Sequence, residues 1–276
     1  PEEEKQAIDL IHHAIETGCT FIDTARGYGE AEAVLGKALK DRRDQVRIAT
    51  KQVHCTPEKL AAAVETSRQN LQTDVIDLYI CHWPSPSHSL EAFFEELARQ
   101  KDAGRIRAIG VSNFNLAQMQ VAHRYGAVSL QPPFSIPWRV ADEVMAFCCE
   151  QNIAVTPYSP LAQGLLTGRY SEGDVEITGP RKSNLLFSDR IFPKAQEVAR
   201  EVDRVAERMG CQPSQVALAW VLQTPGITCP IVGASRREQW DENCKALELP
   251  LSDEDYRRLD ERGRSVWSLV DPEDAM

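Results

Sequence analysis

The fold class is indicated by VRIATKQVHCTPEKLAAAVETSRQNLQTDVIDLYICH, residues 46–82. It begins and ends with short apolar runs, and the segment between them, 57–71, has the spacing of an amphipathic helix. Thr56 followed by Pro57 is a helix start signal, because proline is favoured in the first turn. A strand, a helix and a second strand in this order predict a βαβ unit with parallel strands.

The same alternation continues in both directions along the chain. Seven apolar runs are predicted strands: Thr20 to Thr24, Val46 to Lys51, Ile76 to His82, Ala108 to Ser112, Ala127 to Gln131, Ile153 to Tyr158 and Thr228 to Val232. Helices are predicted over Glu2 to Thr17, Glu30 to Leu39, Pro57 to Leu71, Leu90 to Asp102, Asn115 to His123, Val140 to Gln151, Pro193 to Met209, Pro213 to Gln223 and Arg236 to Ala246, and a last one after Asp253. This pattern predicts an α/β fold, a (β/α)8 TIM barrel.

The length of 276 residues suits one barrel domain spanning 1–276. One strand is lacking, and a helix precedes the first predicted strand. Since the sequence also begins without methionine, we expect the first barrel strand to lie upstream of Pro1. Residues 164–190 lack periodicity and are predicted to form a cofactor or substrate loop, and 252–276 a C-terminal helix and tail.

Composition excludes several classes of partner. Lysine and arginine total 31 against 41 acidic residues, a net charge of -10, which argues against a nucleic-acid groove. No apolar run approaches the ~20 residues that span a bilayer, and the acidic start has no signal-peptide pattern, so we expect a cytoplasmic protein that does not bind membranes. The eight cysteines form no CxxC pair and are expected to be buried thiols, with vicinal Cys148 and Cys149 as a redox alternative.

Polar residues lie at the carboxyl ends of three predicted strands. Asp23, Lys51 and His82 end successive strand runs, and Tyr28 lies in the loop after the first. Each alone has an ordinary structural explanation, as a turn former, a solvated amine, or a hydrogen-bonded core histidine. Active sites of parallel barrels lie at the carboxyl ends of the strands, so four such groups indicate a shared site.

These four side chains suit proton delivery to a carbonyl oxygen. A neighbouring ammonium favours phenolate, so Lys51 is expected to lower the pKa of Tyr28 from its ordinary value of ~10. Asp23 is the carboxylate available to balance Lys51, and His82 is a second hydrogen-bond donor for the developing oxyanion.

Six motifs, in order, resemble the aldo-keto reductase family. They are FIDTARGYGEAEAVLGKAL at 21–39, ATK at 49–51, HWP at 82–84, IGVSNF at 109–114, PYSPLAQGLLTGRY at 157–170 and IVGASRREQWDEN at 231–243. The resemblance implies a (β/α)8 barrel that binds a nicotinamide cofactor without a Rossmann domain, and the sequence has no GxGxxG between a strand and a helix. By the family's pattern Asp23, Tyr28, Lys51 and His82 match the catalytic tetrad, with Tyr28 as general acid.

The resemblance also implies the cofactor-binding residues. Those matching the nicotinamide end are Ser112, Asn113 and Gln131, for the carboxamide, and Tyr158, for stacking on the ring. Those matching the pyrophosphate loop are Ser159, Leu161, Gly164 and Leu165. Those matching the adenosine end are Gly233, Ser235, Arg236, Gln239, Glu242 and Asn243. Two alternatives remain open from the sequence: Asn113 as a cap of the next helix, and Tyr158 as ordinary barrel packing.

NADP(H) is favoured over NAD(H) because Ser235, Arg236 and Arg237 cluster where the resemblance places the 2′-phosphate. We assign the contact to Arg236 and keep Arg237 in reserve, the alternative being a solvated basic pair. Trp83 is expected to line the pocket of a small carbonyl substrate.

The function predicted is an NADP(H)-dependent oxidoreductase that reduces aldehyde or ketone carbonyls to alcohols, as a monomer or weak homo-oligomer. One alternative is a non-catalytic, cofactor-binding regulatory or interaction subunit of the same fold. Another is a metal-dependent barrel hydrolase that uses His54, Cys55, Cys81 and His82, although the sequence has no HxH or HExxH pattern. No metal is expected.

Overall fold

The computed structural model describes residues 2–171 and 176–271. The strands within these ranges are β1 Phe21–Asp23, β2 Arg47–Gln52, β3 Ile76–Cys81, β4 Ile106–Ser112, β5 Ala127–Gln131 and β6 Ala154–Val155. The α-helices are α1 Glu2–Glu16, α2 Ala31–Ala38, α3 Pro57–Asn70, α4 Leu90–Asp102, α5 Leu116–Arg124, α6 Asp142–Glu150, α7 Phe192–Met209, α8 Pro213–Gln223, α9 Arg237–Cys244 and α10 Asp253–Trp267. Short 3-10 helices occupy Arg43–Gln45, Ala162–Gly164, Gly179–Ser183, Leu185–Phe187 and Lys245–Glu248.

The strands form one parallel sheet in chain order, β1-β2-β3-β4-β5-β6. Asp23 pairs with Ala49, and Lys51 pairs with Ile80, two residues before His82. Because parallel strands in this register end at the same edge, the predicted polar residues of β1 to β3 lie together at the carboxyl edge of the sheet. The predicted parallel α/β fold is confirmed, and the six strands correspond to a half-barrel of the (β/α)8 type.

Capping residues set where the loops at the carboxyl edge end. Ser89 Oγ accepts a hydrogen bond from the Ala92 N–H at 3.2 Å and starts α4. Asn115 and Gln118 form a reciprocal capping box at the start of α5. Asn115 therefore caps this helix, and the interpretation of Asn113 as its cap is wrong.

Packing divides the chain into two compact units. The first unit comprises Pro1–Gln131, Phe147–Ala154 and Ala234–Trp240. The second comprises Pro132–Ala146, Val155–Gly233 and Asp241–Met276. In the first unit, the buried side chains of Ala49, Leu78 and Ile80 pack together between β2 and β3.

The core of the second unit is aromatic at its centre. The buried Trp220 ring of α8 stacks on Phe134 and on Tyr256 of α10, with ring centroids 5.6 Å apart in both pairs. The Arg139 guanidinium lies 4.3 Å from the Trp220 ring and is paired with Asp260 at 2.8 Å. A buried arginine of this kind needs a carboxylate partner, so the pair fixes α10 on the segment around residue 139.

The prediction of a strand over Thr228 to Val232 is wrong. The Thr228 N–H donates to Val155 O at 2.8 Å and the Ile231 N–H donates to Pro157 O at 2.7 Å, but the segment is not a strand. Proline has no N–H, so Pro230 interrupts the ladder between these two bonds. The observed β6 is likewise shorter than the predicted run, 153–158, which contains Pro157.

The predicted loop over 164–190 contains short regular elements. The 3-10 helices Gly179–Ser183 and Leu185–Phe187 lie in it, and Leu186 and Phe187 are buried in the core of the second unit. Burial of these apolar side chains anchors this part of the loop. Residues 172–175 of the loop and 272–276 of the predicted tail lie outside the described residues.

All eight cysteines are described, and none is in a disulfide. Cys55, Cys81 and Cys148 are buried, as expected, whereas Cys149 and Cys229 are exposed, so the expectation of burial is wrong for these two. Within the described ranges, no helix is both long enough and apolar enough to cross a membrane.

Candidate active site

A buried ion pair joins the carboxyl ends of β1 and β2. Lys51 Nζ lies 2.5 Å from Asp23 Oδ2 and donates a second hydrogen bond to Thr24 O at 2.8 Å. The Lys51 side chain is only 2% exposed. An ammonium buried this deeply needs both partners to offset the loss of its hydration. The pair therefore holds a positive charge at a fixed point of the sheet edge.

Tyr28 lies beside this pair, on the loop that follows β1. The Arg26 N–H donates to Lys51 O at 3.1 Å and the Tyr28 N–H donates to Ala25 O at 3.0 Å, which fixes the path of the loop. Lys51 Nζ is 5.0 Å from the centre of the Tyr28 ring, and this ring is half exposed. The phenol is thus next to a cation and accessible to a small molecule.

His82 and Trp83 extend the same face from the end of β3. The His82 ring meets the Tyr28 ring edge-on with 5.8 Å between centroids, and the Trp83 ring lies 6.5 Å from that of His82. The His82 N–H donates to Gln52 O at 2.9 Å, and His82 O accepts a bond from Asn113 Nδ2 at 3.0 Å. The structure thus brings the four predicted tetrad residues together.

Burial and charge shift the three titratable groups around the phenol. Burial, and then the negative charge of Asp23, raise the pKa of Tyr28 above 10.0. Burial lowers the pKa of Lys51 from 10.5, against the opposing effect of Asp23. Burial, and then the positive charge of Lys51, lower the pKa of His82 from 6.5.

The expectation that Lys51 lowers the pKa of Tyr28 is wrong. The ammonium is paired with Asp23, so the carboxylate offsets its effect on the phenol, and burial disfavours phenolate. Tyr28 is accordingly protonated, and His82 neutral, at pH 7.

The residues matched to the carboxamide end form a buried hydrogen-bond chain. Ser112 Oγ donates to Gln131 O at 2.7 Å, and Asn113 Nδ2 lies 3.1 Å from Ser112 Oγ. Asn113 has a left-handed backbone, with φ of 62°. Gln131 Nε2 donates to Asp23 Oδ1 at 2.9 Å. The contact between Gln131 and Asp23, which the sequence does not reveal, connects this chain of hydrogen bonds to the ion pair.

The residues matched to ring stacking and to the pyrophosphate belong to the second unit. Tyr158 forms a parallel bridge with Pro133 and is partly buried. Ser159 and Gly164 have positive φ, 56° and 92°, in the turn that carries Leu161. Leu165 is fully buried in the core of this unit.

The residues matched to the adenosine end surround the start of α9. Gly233 and Ser235 are exposed, and the Ser235 N–H and Oγ both donate to Gln239 Oε1, at 2.9 and 3.1 Å. Helix α9 begins at Arg237, one residue later than predicted. The Arg236 side chain is 72% exposed and lies 4.0 Å from Glu238.

Glu242 and Asn243 differ in how their side chains are used. Glu242 accepts hydrogen bonds from Gln215 Nε2 at 2.9 Å and from Lys245 Nζ at 2.6 Å. Asn243 is buried, and its Nδ2 has no hydrogen-bond partner among the described residues. Because buried donors are nearly always paired, this amide fits a ligand that brings an acceptor.

The sequence suggests His54 only as a metal ligand, and the structure gives it other contacts. Its Nδ1 accepts from the Ser85 N–H at 3.0 Å, and its Nε2 lies 3.2 Å from Ser89 O. Both ring nitrogens are therefore engaged by the backbone rather than directed at a shared ion. Among the described residues, no group of three or more His, Cys, Asp or Glu side chains is placed to hold a metal.

Comparison with known proteins gives the class of the protein. The family model described as "Aldo/keto reductase family" matches residues 1–264. Aldo-keto reductase YhdN of Bacillus subtilis (strain 168) is 33% identical over 275 residues, covering 93% of this chain and 83% of the relative. Probable aldo-keto reductase 1 of Glycine max is 30% identical, covering 94% of this chain and 80% of the relative.

Solved structures agree with these matches. The glycerol dehydrogenase AKR11B4 from Gluconobacter oxydans has a TM-score of 0.88 at 27% identity, covering 99% of this chain and 89% of that chain. The thermostable aldo-keto reductase Tm1743, in complex with the inhibitor epalrestat, has a TM-score of 0.77 at 30% identity, covering 94% and 88%. The fold is therefore that of the (β/α)8 oxidoreductases that generally use nicotinamide cofactors. The chain belongs to the aldo/keto reductase family.

Proposed function

We propose that this enzyme is an NADP(H)-dependent reductase that converts aldehyde or ketone carbonyls to alcohols. The observation that carries the proposal is the position of Tyr28, 5.0 Å from the Lys51 ammonium and edge-on to the His82 ring. A protonated phenol between a cation and an imidazole can deliver a proton to a carbonyl oxygen. Trp83, which is 44% exposed next to His82, is proposed to line the substrate pocket.

NADPH supplies the hydride for the carbonyl carbon when it is bound. Tyr28 Oη gives its proton to the carbonyl oxygen, and the raised pKa keeps this group protonated at neutral pH. Neutral His82 donates an N–H hydrogen bond to the same oxygen and orients the carbonyl. The Lys51 ammonium lies beside the phenolate that remains, 5.0 Å from the ring centre, and Asp23 holds this ammonium in place and offsets part of its charge. In alcohol oxidation Tyr28 is the base.

The residues present fit a nicotinamide dinucleotide. We assign Ser112, Asn113 and Gln131 to the carboxamide and Tyr158 to stacking on the ring. The buried Nδ2 of Asn243, which has no partner within 2–171 and 176–271, suits an acceptor atom of an adenine ring. The full proposed set adds Ser159, Leu161, Gly164 and Leu165 along the pyrophosphate, and Gly233, Ser235, Arg236, Gln239 and Glu242 at the adenosine end.

The preference for NADP(H) over NAD(H) rests on Arg236. Its exposed guanidinium is free to turn from Glu238, 4.0 Å away, to a phosphate, which arginine binds with two parallel hydrogen bonds. We further propose that residues 1–276 form a single barrel domain and that 164–190 is its cofactor or substrate loop. The protein is proposed to be a cytoplasmic monomer or weak homo-oligomer without a nucleic-acid partner.

Binding and turnover measurements test this function. The protein is titrated with NADPH and with NADH by quenching of tryptophan fluorescence, and NADPH oxidation is followed with a panel of aldehydes and ketones. We expect tighter NADPH binding and turnover of at least one carbonyl. Arg236→Ala should weaken NADPH binding by ~10-fold or more without changing NADH binding, because a charge-assisted contact is lost. Arg237→Ala is the matched control.

The outcomes separate the candidate functions. Equal effects of the two arginine substitutions would contradict the assignment of the 2′-phosphate to Arg236. Binding of NADPH without turnover of any carbonyl would contradict a reductase and favour the non-catalytic subunit.

A further inference from the structure

The His54 side chain and backbone fasten the segment that follows β3, residues 83–89, which we call the Trp83 segment. The His54 N–H donates to Trp83 O at 3.0 Å. The His54 ring then makes the two contacts with Ser85 and Ser89 described above. A single residue, His54, therefore holds the start, the middle and the end of the Trp83 segment.

The hydrogen-bond partners define the form of the imidazole. A backbone N–H can only donate, so Nδ1, which faces Ser85, must be unprotonated. The proton is on Nε2, which donates to Ser89 O. The ring is only 5% exposed and packs edge-on against Phe93, with 4.9 Å between ring centroids, and against His88, at 5.7 Å. Burial, with a smaller effect of His88, lowers the pKa of His54 and favours this neutral form.

The Trp83 segment has few other anchors near Trp83. It contains two prolines, Pro84 and Pro86, which have no N–H to bond, and its residues 86–89 are exposed. At the other end of the segment Ser89 is anchored, because it caps α4. The contacts of His54 therefore connect the exposed Trp83 end of the segment to the rigid start of a helix.

We propose that His54 is a positioning residue that sets where Trp83 stands beside His82, and so determines how tightly the carbonyl substrate binds. This inference rests on the proposed function. His54 contacts neither the Tyr28 ring nor the Lys51 ammonium in the contacts described, so its removal acts on substrate binding. We expect KM to rise while kcat and the dissociation constant of NADPH stay nearly unchanged.

Two substitutions separate the hydrogen bond from the bulk of the ring. His54→Phe keeps a flat ring but removes both polar contacts. His54→Asn places an acceptor at the position of Nδ1 and can keep the Ser85 bond. We expect KM to rise roughly fivefold in His54→Phe, the effect of losing about one net hydrogen bond, and His54→Asn to restore most of this loss. Equal KM values in His54→Phe and the unmodified enzyme would overturn the proposal.

A double substitution tests whether the effect passes through Trp83. In a Trp83→Ala background there is no indole to position, so adding His54→Phe should leave KM unchanged. A further rise in KM of the same size as in the single variant would show that His54 acts elsewhere and would overturn the proposal.

Amide hydrogen exchange gives a readout that does not need turnover. The Ser85 amide should be protected in the unmodified enzyme and in His54→Asn, and should exchange faster in His54→Phe. Unchanged protection in His54→Phe overturns the positioning role even if no carbonyl substrate is found. Changed protection without any carbonyl turnover would contradict the proposed function alone, and so the two failures are distinguishable.

Discussion

Gln131 Nε2 donates a hydrogen bond of 2.9 Å to Asp23 Oδ1, although the two residues are 108 positions apart in the chain. The other carboxylate oxygen, Oδ2, holds Lys51 Nζ at 2.5 Å. A single carboxylate therefore joins the cation beside Tyr28 to the end of β5. The residue assigned to the cofactor carboxamide thus also supports the group assigned to catalysis.

Replacing Gln131 should destabilise the fold through Asp23. Gln131→Leu leaves Asp23 Oδ1 without its amide donor, so we expect the free energy of unfolding to fall by about 1–3 kcal/mol. Urea denaturation measures this change. Gln69→Leu, at an exposed position of α3, is the control and should stay within about 0.5 kcal/mol of the unmodified protein. Equal losses in the two variants would contradict the role given to the Gln131 contact.

The backbone at Asn113 gives a second stability test. Its φ of 62° is accessible to glycine but costly for alanine, which lacks a side chain that bonds locally. Asn113→Ala and Asn113→Gly both remove the contacts of the amide with His82 O and Ser112 Oγ. The free energy of unfolding of Asn113→Ala, measured in urea, should therefore be about 1 kcal/mol lower than that of Asn113→Gly. An alanine variant as stable as the glycine variant would show that the left-handed backbone costs nothing here.

Acidification should destabilise the protein through His54 and His82. The pKa values of His54 and His82 are both lowered from 6.5, so the unfolded chain binds protons more readily than the folded one. Their contribution to stability is present above pH 6.5 and is lost as pH falls through the folded-state values. His54→Asn removes one of these two titrating groups. The urea midpoint of this variant should therefore fall less than that of the unmodified protein when the pH is lowered from roughly 7.5 to roughly 5, a range that includes pH 6.5. An identical fall would contradict the lowered pKa of His54.

The sequence predicted the sheet and the position of the four site residues because both depend on local patterns. Apolar runs that end in Asp23, Lys51 and His82 alternate with helical segments, and parallel strands bring their ends together. Thr228 to Val232 also has the apolar pattern of a strand, but Pro230 interrupts its ladder. Periodicity alone gives too little weight to one missing N–H.

Other features depend on contacts between distant residues, which one sequence does not show. The predicted direction of the Tyr28 pKa shift is wrong because burial of the phenol, which one sequence does not show, raises the pKa, and because Asp23 offsets the charge of Lys51. The family resemblance implies a cofactor contact for Gln131, but it does not predict the hydrogen bond from Gln131 to Asp23. The sequence suggests His54 only as a metal ligand, because residue spacing does not reveal that its two ring nitrogens contact the backbone of residues 85 and 89.

Tyr28 is proposed to be the proton donor in carbonyl reduction, and the variant Tyr28→Phe tests this role. The measurement is kcat for NADPH-dependent reduction of a carbonyl substrate, with NADPH affinity determined on the same preparations by fluorescence titration. Tyr125→Phe is the control. Tyr125 directly follows α5, its ring stacks on that of Phe94 in α4, and neither residue is assigned to the site. We predict that Tyr28→Phe binds NADPH normally and loses at least ~100-fold in kcat, the usual contribution of a general acid. Turnover equal to that of Tyr125→Phe would show that Tyr28 is not the general acid.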